Sequence, residues 1–506
     1  MWTILGGVLV LVLLYVILKE DNYFKDYGIP HLKPLPILGN MGGTFTRRIS
    51  FFDLIQKIYD LNRNAKYVGV HDFNTPIIMI RDRELGKIIT VKSFDHFVNH
   101  RKFIDPNLDP LFGNLIFSLK DDHWRRIRNL ISPAFTSSKM KAAFKLIADC
   151  ASNYADYFAE ESRLKPLECN TKDAFTRYTN DVIGTFAFGV SIDSIRNREN
   201  EFYILGKKST SFEGMAMVRL TLMRFVPRFC KLFNIKFATD DVRHFFTNLV
   251  KETIAMRDEK GVSRPDLIQL MMETRNDKDG KKLSVLEMTS QAYGFFFAGF
   301  DTSSTLMCFV AQEIAEKSHV QEKLQREVDE VFEEHQGDPP YEAINNMVYL
   351  DAVINEALRM YPVAPFQDRL CNSEFELPPA LPGEKPLVLK PGDVVWLPIY
   401  CIHRDPEYFD NPEVFDPERF VKGDKSSAFA VNSMTFGQGP RACIGNRFAI
   451  LETKILFAYL LRKCRLTPGS KMITPMRISK SSFIMKAEGG FWVEFQPRSQ
   501  ESESQH

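Results

Sequence analysis

The 506-residue chain has almost no excess of charge of either sign: 65 Lys and Arg stand against 64 Asp and Glu. Without an overall basic field, nucleic acid is not expected as a partner, and any electrostatic docking has to come from a local patch. None of the eight cysteines belongs to a CxxC pair, which excludes a zinc ribbon and a thioredoxin-type dithiol. There is no N-x-S/T sequon, and most cysteines have apolar neighbours, as small buried hydrophobes do. Both fit a body facing a reducing compartment. Internal repeats and linker-like stretches are missing too, and only the tail "SQESESQH" has a disordered composition. With 44% hydrophobic and 25% charged residues, the body has the balance of one large folded domain.

The N-terminus is where charge is missing most. Trp2 to Leu18, "WTILGGVLVLVLLYVIL", carries none and is just long enough to cross a bilayer as a helix. It lacks the basic n-region and small-residue cleavage site of a signal peptide, so a retained anchor over residues 1–19 is expected. Lys19, Lys25, Lys33, Arg47 and Arg48 all follow it, which leaves the body on the cytosolic side. The mitochondrial alternative needs an Arg- and Ser-rich amphipathic leader, and none is seen. Pro30, Pro34 and Pro36 in "YGIPHLKPLPILGN" fix an extended path, so residues 20–43 are expected to form a stiff hinge. The main body follows over 44–498 and a disordered tail over 499–506.

The body is mainly helical, with small sheets. "KYVGVHDFNTPIIMIRD" predicts a hairpin turning at Asn74-Thr75-Pro76, and "KPLVLKPGDVVWLPIY" a second turning at Pro391-Gly392. Ser284 and Glu287 form a capping-box pattern. The helix they open, running to Lys317, would span about 50 Å and should cross the middle of the protein.

"FGQGPRACIG", Phe436 to Gly445, surrounds one thiol with glycines and an arginine. A dinucleotide fingerprint would need a buried strand before it and a βαβ unit around it; "SSAFAVNSMT" is a poor strand. A buried structural cysteine has no need of such neighbours. A thiolate holding a large flat cofactor does: glycines let the backbone approach, and the helix beginning after Cys443 puts its positive end beside the sulfur. Arg441 could then meet an acidic edge of the cofactor.

Phe436, Gly439, Arg441, Cys443 and Gly445 match every defined position of F-x-x-G-x-R-x-C-x-G, and on this signature the chain is identified as resembling the cytochrome P450 family from anchor to tail. The resemblance implies the family fold (a long central helix over haem b), with Cys443 as the axial thiolate and metal ligand. "AGFDTS" resembles the family's oxygen-activation motif: Ala298 leaves room over the iron, and Asp301 and Thr302 relay protons, as against Thr302 merely bonding its own helix. Glu356 and Arg359 of "EALR", with Arg419 of "FDPERF", resemble the structural cluster behind the haem. Trp124, Arg128, Arg369 and Arg441 fall at propionate-binding positions, and the resemblance makes Phe436, at the start of the cysteine loop, a further cofactor-binding residue. His100 and Arg101 stand where close relatives often carry an arginine before the loop, so neither is assigned. By position, the substrate pocket takes Phe103, Phe112, Phe297, Val363, Phe366, Phe483 and Ile484.

No flavin or nicotinamide site is visible, so electrons have to come from another protein. The resemblance implies NADPH–cytochrome P450 reductase of the endoplasmic reticulum, with cytochrome b5 as a further candidate; Arg125, Arg126, Lys422, Lys425 and Arg447 are the expected docking charges. The implied reaction inserts one atom of dioxygen into a lipophilic substrate. The overall pattern, with 42 phenylalanines, is similar to insect microsomal detoxifying enzymes, which points to xenobiotics such as insecticides and plant toxins. A dedicated hormone or fatty-acid oxidase, an electron-independent haem-thiolate isomerase or dehydratase, and a non-catalytic haem protein are the alternatives.

Overall fold

The structure is a computed structural model that describes residues 23–498 apart from Phe103, Glu213, Pro265, 275–282, 422–430, 432, 433 and Phe483. The expected anchor and tail, Phe103, Phe483, Lys422 and Lys425 lie outside the described residues.

The helix opened by Ser284 runs from Val285 to Glu316. Both arms of its capping box are made: Glu287 N–H donates to Ser284 Oγ (3.2 Å), and Ser284 N–H donates to Glu287 Oε2 (2.8 Å). The helix is apolar nearly all round, so it is buried in the core rather than laid on the surface. Among the described residues it is the one helix long and apolar enough to cross a membrane, and most of it is buried in protein. Helices Thr171–Ile183, Asp240–Lys260, Val348–Met360 and Asn446–Lys463 pack around it.

Among the described residues there are nine short strands: β1 (Tyr67–Asp72), β2 (Thr75–Ile80), β3 (Leu167–Asn170), β4 (Gln367–Leu370), β5 (Phe375–Leu377), β6 (Leu387–Leu389), β7 (Val394–Leu397), β8 (Cys464–Pro468) and β9 (Trp492–Pro497). They form sheets of order β1-β2-β7-β4, β3-β9-β8 and β5-β6. The first hairpin forms, but Asp72 pairs with Thr75, so the turn is Phe73-Asn74 and Pro76 lies within β2. The second hairpin does not form. Gly392, at φ +103, and the Lys390–Asp393 turn send the chain out of one sheet into another: β6 pairs with β5, whereas β7 pairs with β2 and β4.

The proline segment is strapped to β1. Gly69 N–H donates to the Pro30 carbonyl, and Asn40 and His71 exchange two hydrogen bonds through the Asn40 side chain and backbone. The strap also covers an edge strand that would otherwise present unpaired backbone.

Candidate haem-thiolate site

The cysteine loop is held by its own backbone: Cys443 N–H donates to the Phe436 carbonyl (2.6 Å) and Ala442 N–H to the Gly439 carbonyl (3.0 Å). Gly437 and Gly439 have φ +90 and +74, a region that penalises any side chain. A Cβ on Gly439 would also sit 2.0 Å from the Thr90 carbonyl. These two glycines are therefore explained by the turn and by packed protein, not by the approach of a cofactor. Gly445 has ordinary room, with Phe295 3.9 Å from where its Cβ would lie. The helix Asn446–Lys463 starts directly after the loop.

Cys443 lies deep in the protein, and burial pushes its thiol up, opposed by the Gly445 backbone and by Arg128. Its surface is nevertheless exposed. Ala298 and Thr302 are exposed in the middle of the otherwise buried central helix, one turn apart. They follow Phe295, which packs against Gly445 and Phe448, by one and two helical turns.

Three guanidinium groups gather on the cysteine side. Arg369 is fully buried and its Nε has no hydrogen-bond partner; burial lowers its pKa to about 10 against the opposing Asp368. Arg441 is lowered to about 9 by burial and then by Arg369, with Arg128 adding to it. Arg128 is lowered by burial as well. The acid closest to hand, Asp368, is already committed to His100 Nδ1 (2.9 Å) and the Arg101 N–H (2.6 Å). Cations that crowd one another beside a thiol fit a flat cofactor with two carboxylates on its edge. The chain's donors thus fit haem.

The single roles differ in detail from expectation. Arg441 spends its donors on the carbonyls of Val98, Ile116 and Leu119 and on Asn99 Oδ1, and its guanidinium lies 3.9 Å from the centroid of the Trp124 ring. The Arg101 guanidinium is bound to Asp72 and Thr75. Thr302 Oγ1 donates to the Ala298 carbonyl at 2.6 Å. The Asp301 carboxylate is turned to Lys172 (2.9 Å), whose ammonium also donates to the Asp301 carbonyl, Ser304 and Thr305. Nothing in the sequence marks Lys172, which sits on another helix.

The structural cluster is complete. Arg359 gives Nε and one Nη2 donor to Glu356 (2.7 and 2.8 Å) and the remaining N–H groups to the carbonyls of His403, Pro412 and Val414. Arg419 Nε reaches Glu356 at 3.1 Å. Of the expected pocket residues, Phe112 and Phe297 touch edge to face (5.0 Å) within a group that includes Phe212 and Phe237. Val363 and Ile484 are half-buried. Phe366 instead stacks on Trp396 (4.1 Å) and meets Phe51, so much of its surface belongs to the sheet. Of the expected docking charges, Arg125 pairs with Asp95 and Asp122, Arg126 with Glu287, and Arg447 bonds Ser137.

Glu452, on the helix that follows Cys443, went unnoticed in the sequence. It is fully buried and both its carboxyl oxygens lack a partner. Burial lifts its pKa from 4.5 to about 8, offset in part by the nearby Ser303. The folded protein therefore keeps a proton that the unfolded chain releases above pH 4.5. Stability is expected to fall as pH rises from about 4.5 to about 8, at up to roughly 1.4 kcal/mol per unit. Glu452→Gln should flatten the melting temperature across that range; an unchanged pH profile in this variant would refute the assignment.

Fold and site together define a mainly helical haem-thiolate protein. The chain belongs to the cytochrome P450 family, whose profile, described as Cytochrome P450, matches residues 29–493. It is 41% identical to cytochrome P450 9e2 of Blattella germanica, over 98% of each chain. It is 39% identical to probable cytochrome P450 9f2 of Drosophila melanogaster, over 95% of this chain and 96% of the relative. Probable cytochrome P450 6a21 of the same fly is 31% identical, over 97% and 98%. The chain is accordingly a monooxygenase of the oxidoreductase class, and the family implies haem, a redox partner and a lipophilic substrate.

Proposed function

We propose that Cys443, Ala298 and Thr302 border one space, that haem would lie in it held by the Cys443 thiolate, and that the enzyme oxidises xenobiotics with electrons from NADPH through a membrane-bound reductase. The observation that carries this reading is the pairing of a deep but exposed thiol with two exposed positions on a buried helix. The haem group supplies activation of dioxygen and transfer of one oxygen atom to substrate. The chain's residues do the rest. The Gly445 backbone and Arg128 favour the Cys443 thiolate. Arg369 and Arg128 would hold the cofactor's anionic edge, while Arg441 braces Trp124 and the loop carbonyls behind it. Ala298 keeps the helix clear of the reacting atoms. The Thr302 hydroxyl can swing from its own helix to pass a proton, and Asp301, paired with Lys172, orders the polar route toward it. Phenylalanine edges at Phe112, Phe212, Phe237 and Phe297 give apolar contacts of varied geometry and no charged anchor, which suits varied lipophilic molecules better than a fatty acid.

The divisions at residues 19, 43 and 498 belong to this proposal, with placement at the endoplasmic reticulum. Besides the apolar N-terminus, support comes from Met215, Phe225, Phe229 and Leu232, exposed on consecutive helices, and from exposed Phe233 directly after them; such a surface suits a lipid interface.

A panel of lipophilic ligands, read by the Soret band and then by product analysis with reductase and NADPH, tests the function. Oxygenated products that need NADPH support it; rearranged products formed without NADPH would replace it with an isomerase. Thr302→Ala should bind haem and ligand within about twofold of wild type, while NADPH coupling to product falls by roughly 10²-fold in favour of peroxide. Unchanged coupling would remove Thr302 from the proton route. For the partner, Arg125→Gln with Arg126→Gln should slow reductase-supported turnover at low salt and leave peroxide-driven turnover intact, since rim charges act on encounter and are screened over about 8 Å. Equal loss of both activities would mean that the arginines serve folding.

A further inference from the structure

Helix Met215–Phe225 is lightly held. Met223 is its one buried residue. Its N-cap, Gly214, has φ +56 with nothing near the position of a Cβ. Its far end breaks at Val226, before Pro227 opens the next helix. Such a segment, with few buried apolar contacts and a break at each end, belongs to the low-stability part of a fold. Just before it, Phe212 lies against Phe237 and Phe297 (5.6 and 5.8 Å), so movement of this helix would uncover the phenylalanine group over the central helix.

At its C-terminal end the helix meets the tip of the β1–β2 hairpin. Arg224 Nη2 donates to Asp72 Oδ2 at 2.6 Å, and Arg101 Nη1 donates to the same oxygen at 2.6 Å. Arg224 also lies over the rings of Phe73 and Phe225, which touch edge to face at 5.0 Å. Phe73 is in the left-handed region, φ +55, which costs a side-chain-bearing residue free energy unless its surroundings hold it.

We infer that Asp72, Phe73, Arg224 and Phe225 form a latch that keeps helix Met215–Phe225 closed over the substrate pocket, with Arg101 as the fixed half of the clasp. Arg101 has anchors of its own apart from Asp72: its backbone N–H donates to Asp368 and its other Nη to Thr75. The Asp72 side chain is only 10% exposed, against 38% for Arg224. If Arg224 were its sole partner, opening would strand a nearly buried carboxylate, a costly event. Arg101 stays when Arg224 leaves, so Asp72 remains paired and the departing guanidinium passes directly into water. The latch can therefore hold the closed state and still release at modest cost. The part concerning substrate entry rests on the proposed haem pocket; the closed helix does not.

The holoprotein with Arg224→Ala, and with Arg224→Met to keep the aliphatic stem, provides the test. Amide exchange in residues 215–225 should speed up by about tenfold in both, while exchange in the central helix stays at the wild-type rate. In wild type the same amides should exchange faster toward about 1 M salt, where screening shortens to roughly 3 Å, and in the variants salt should make little difference. Stopped-flow binding of a bulky phenylimidazole, followed at the Soret band, should show association and dissociation both several-fold faster with affinity within about twofold. Wild-type exchange rates in both variants would overturn the latch. Faster exchange with unchanged binding rates would overturn its role over the pocket. A wild-type holoprotein with no Soret response to the azole would instead refute the pocket reading, and the exchange result would still decide the latch.

Discussion

Cys443→Ala is expected to abolish NADPH-supported oxygenation and the red-shifted Soret band of the ferrous–CO complex that marks thiolate ligation. The other seven cysteines give no substitute: five are buried and two are half-buried, and burial or weak exposure keeps thiols protonated and inert. Cys401, for example, is raised well above the ordinary range by burial. Haem retention in this variant should fall as well, although Arg369 and Arg128, the proposed holders of the cofactor's edge, remain. Cys443→His separates the two effects, because an imidazole can fill the ligand position without a thiolate's charge. It should recover haem but neither the red-shifted band nor turnover. A red-shifted band in Cys443→Ala would assign the ligand elsewhere.

Arg359→Ala is expected to leave no stable folded protein. Arg359 and Glu356 are both 0% exposed, so the substitution leaves the Glu356 carboxylate with only Arg419 and the Asp416 N–H and takes the donors from the His403 and Pro412 carbonyls. Removing one partner of a buried ion pair costs about 3–5 kcal/mol, a large part of the 5–15 kcal/mol typical of a domain. Arg359→Lys distinguishes geometry from charge. Lysine keeps the charge, but its three donors cannot fill five positions fixed by a planar fork. It should yield a folded but clearly destabilised protein, read as a lowered melting temperature and faster haem loss. Wild-type stability in the lysine variant would mean that charge alone matters there.

Much of the fold and the site was written locally. The capping box at Ser284 and Glu287 set the start of the central helix because both partners lie within one turn. Ala298 and Thr302 share a face by helix periodicity alone. Glu356 and Arg359 meet for the same reason. The Cys443 loop carries its own turn chemistry, with glycines at the two positive-φ positions. Such features need only residues close in the chain, and a short sequence specifies them.

Tertiary structure decided where the remaining donors and acceptors go. Two β-prone runs at 385–400 resemble a hairpin, yet their strands serve different sheets, since strand propensity does not name a partner. Asp301 is committed to Lys172 on another helix, Arg441 to carbonyls on the Val98–Leu119 stretch, and Asp72 to two arginines from separate segments. Each of these is a charge taken partly out of water, which must find a counter-charge or a carbonyl wherever the packed chain happens to bring one. The sequence by itself determined the family, the central helix and the thiol; the partners of its buried charges exist only once distant segments are packed together, because a charge's cost is set by its surroundings in space and not by its neighbours in the chain.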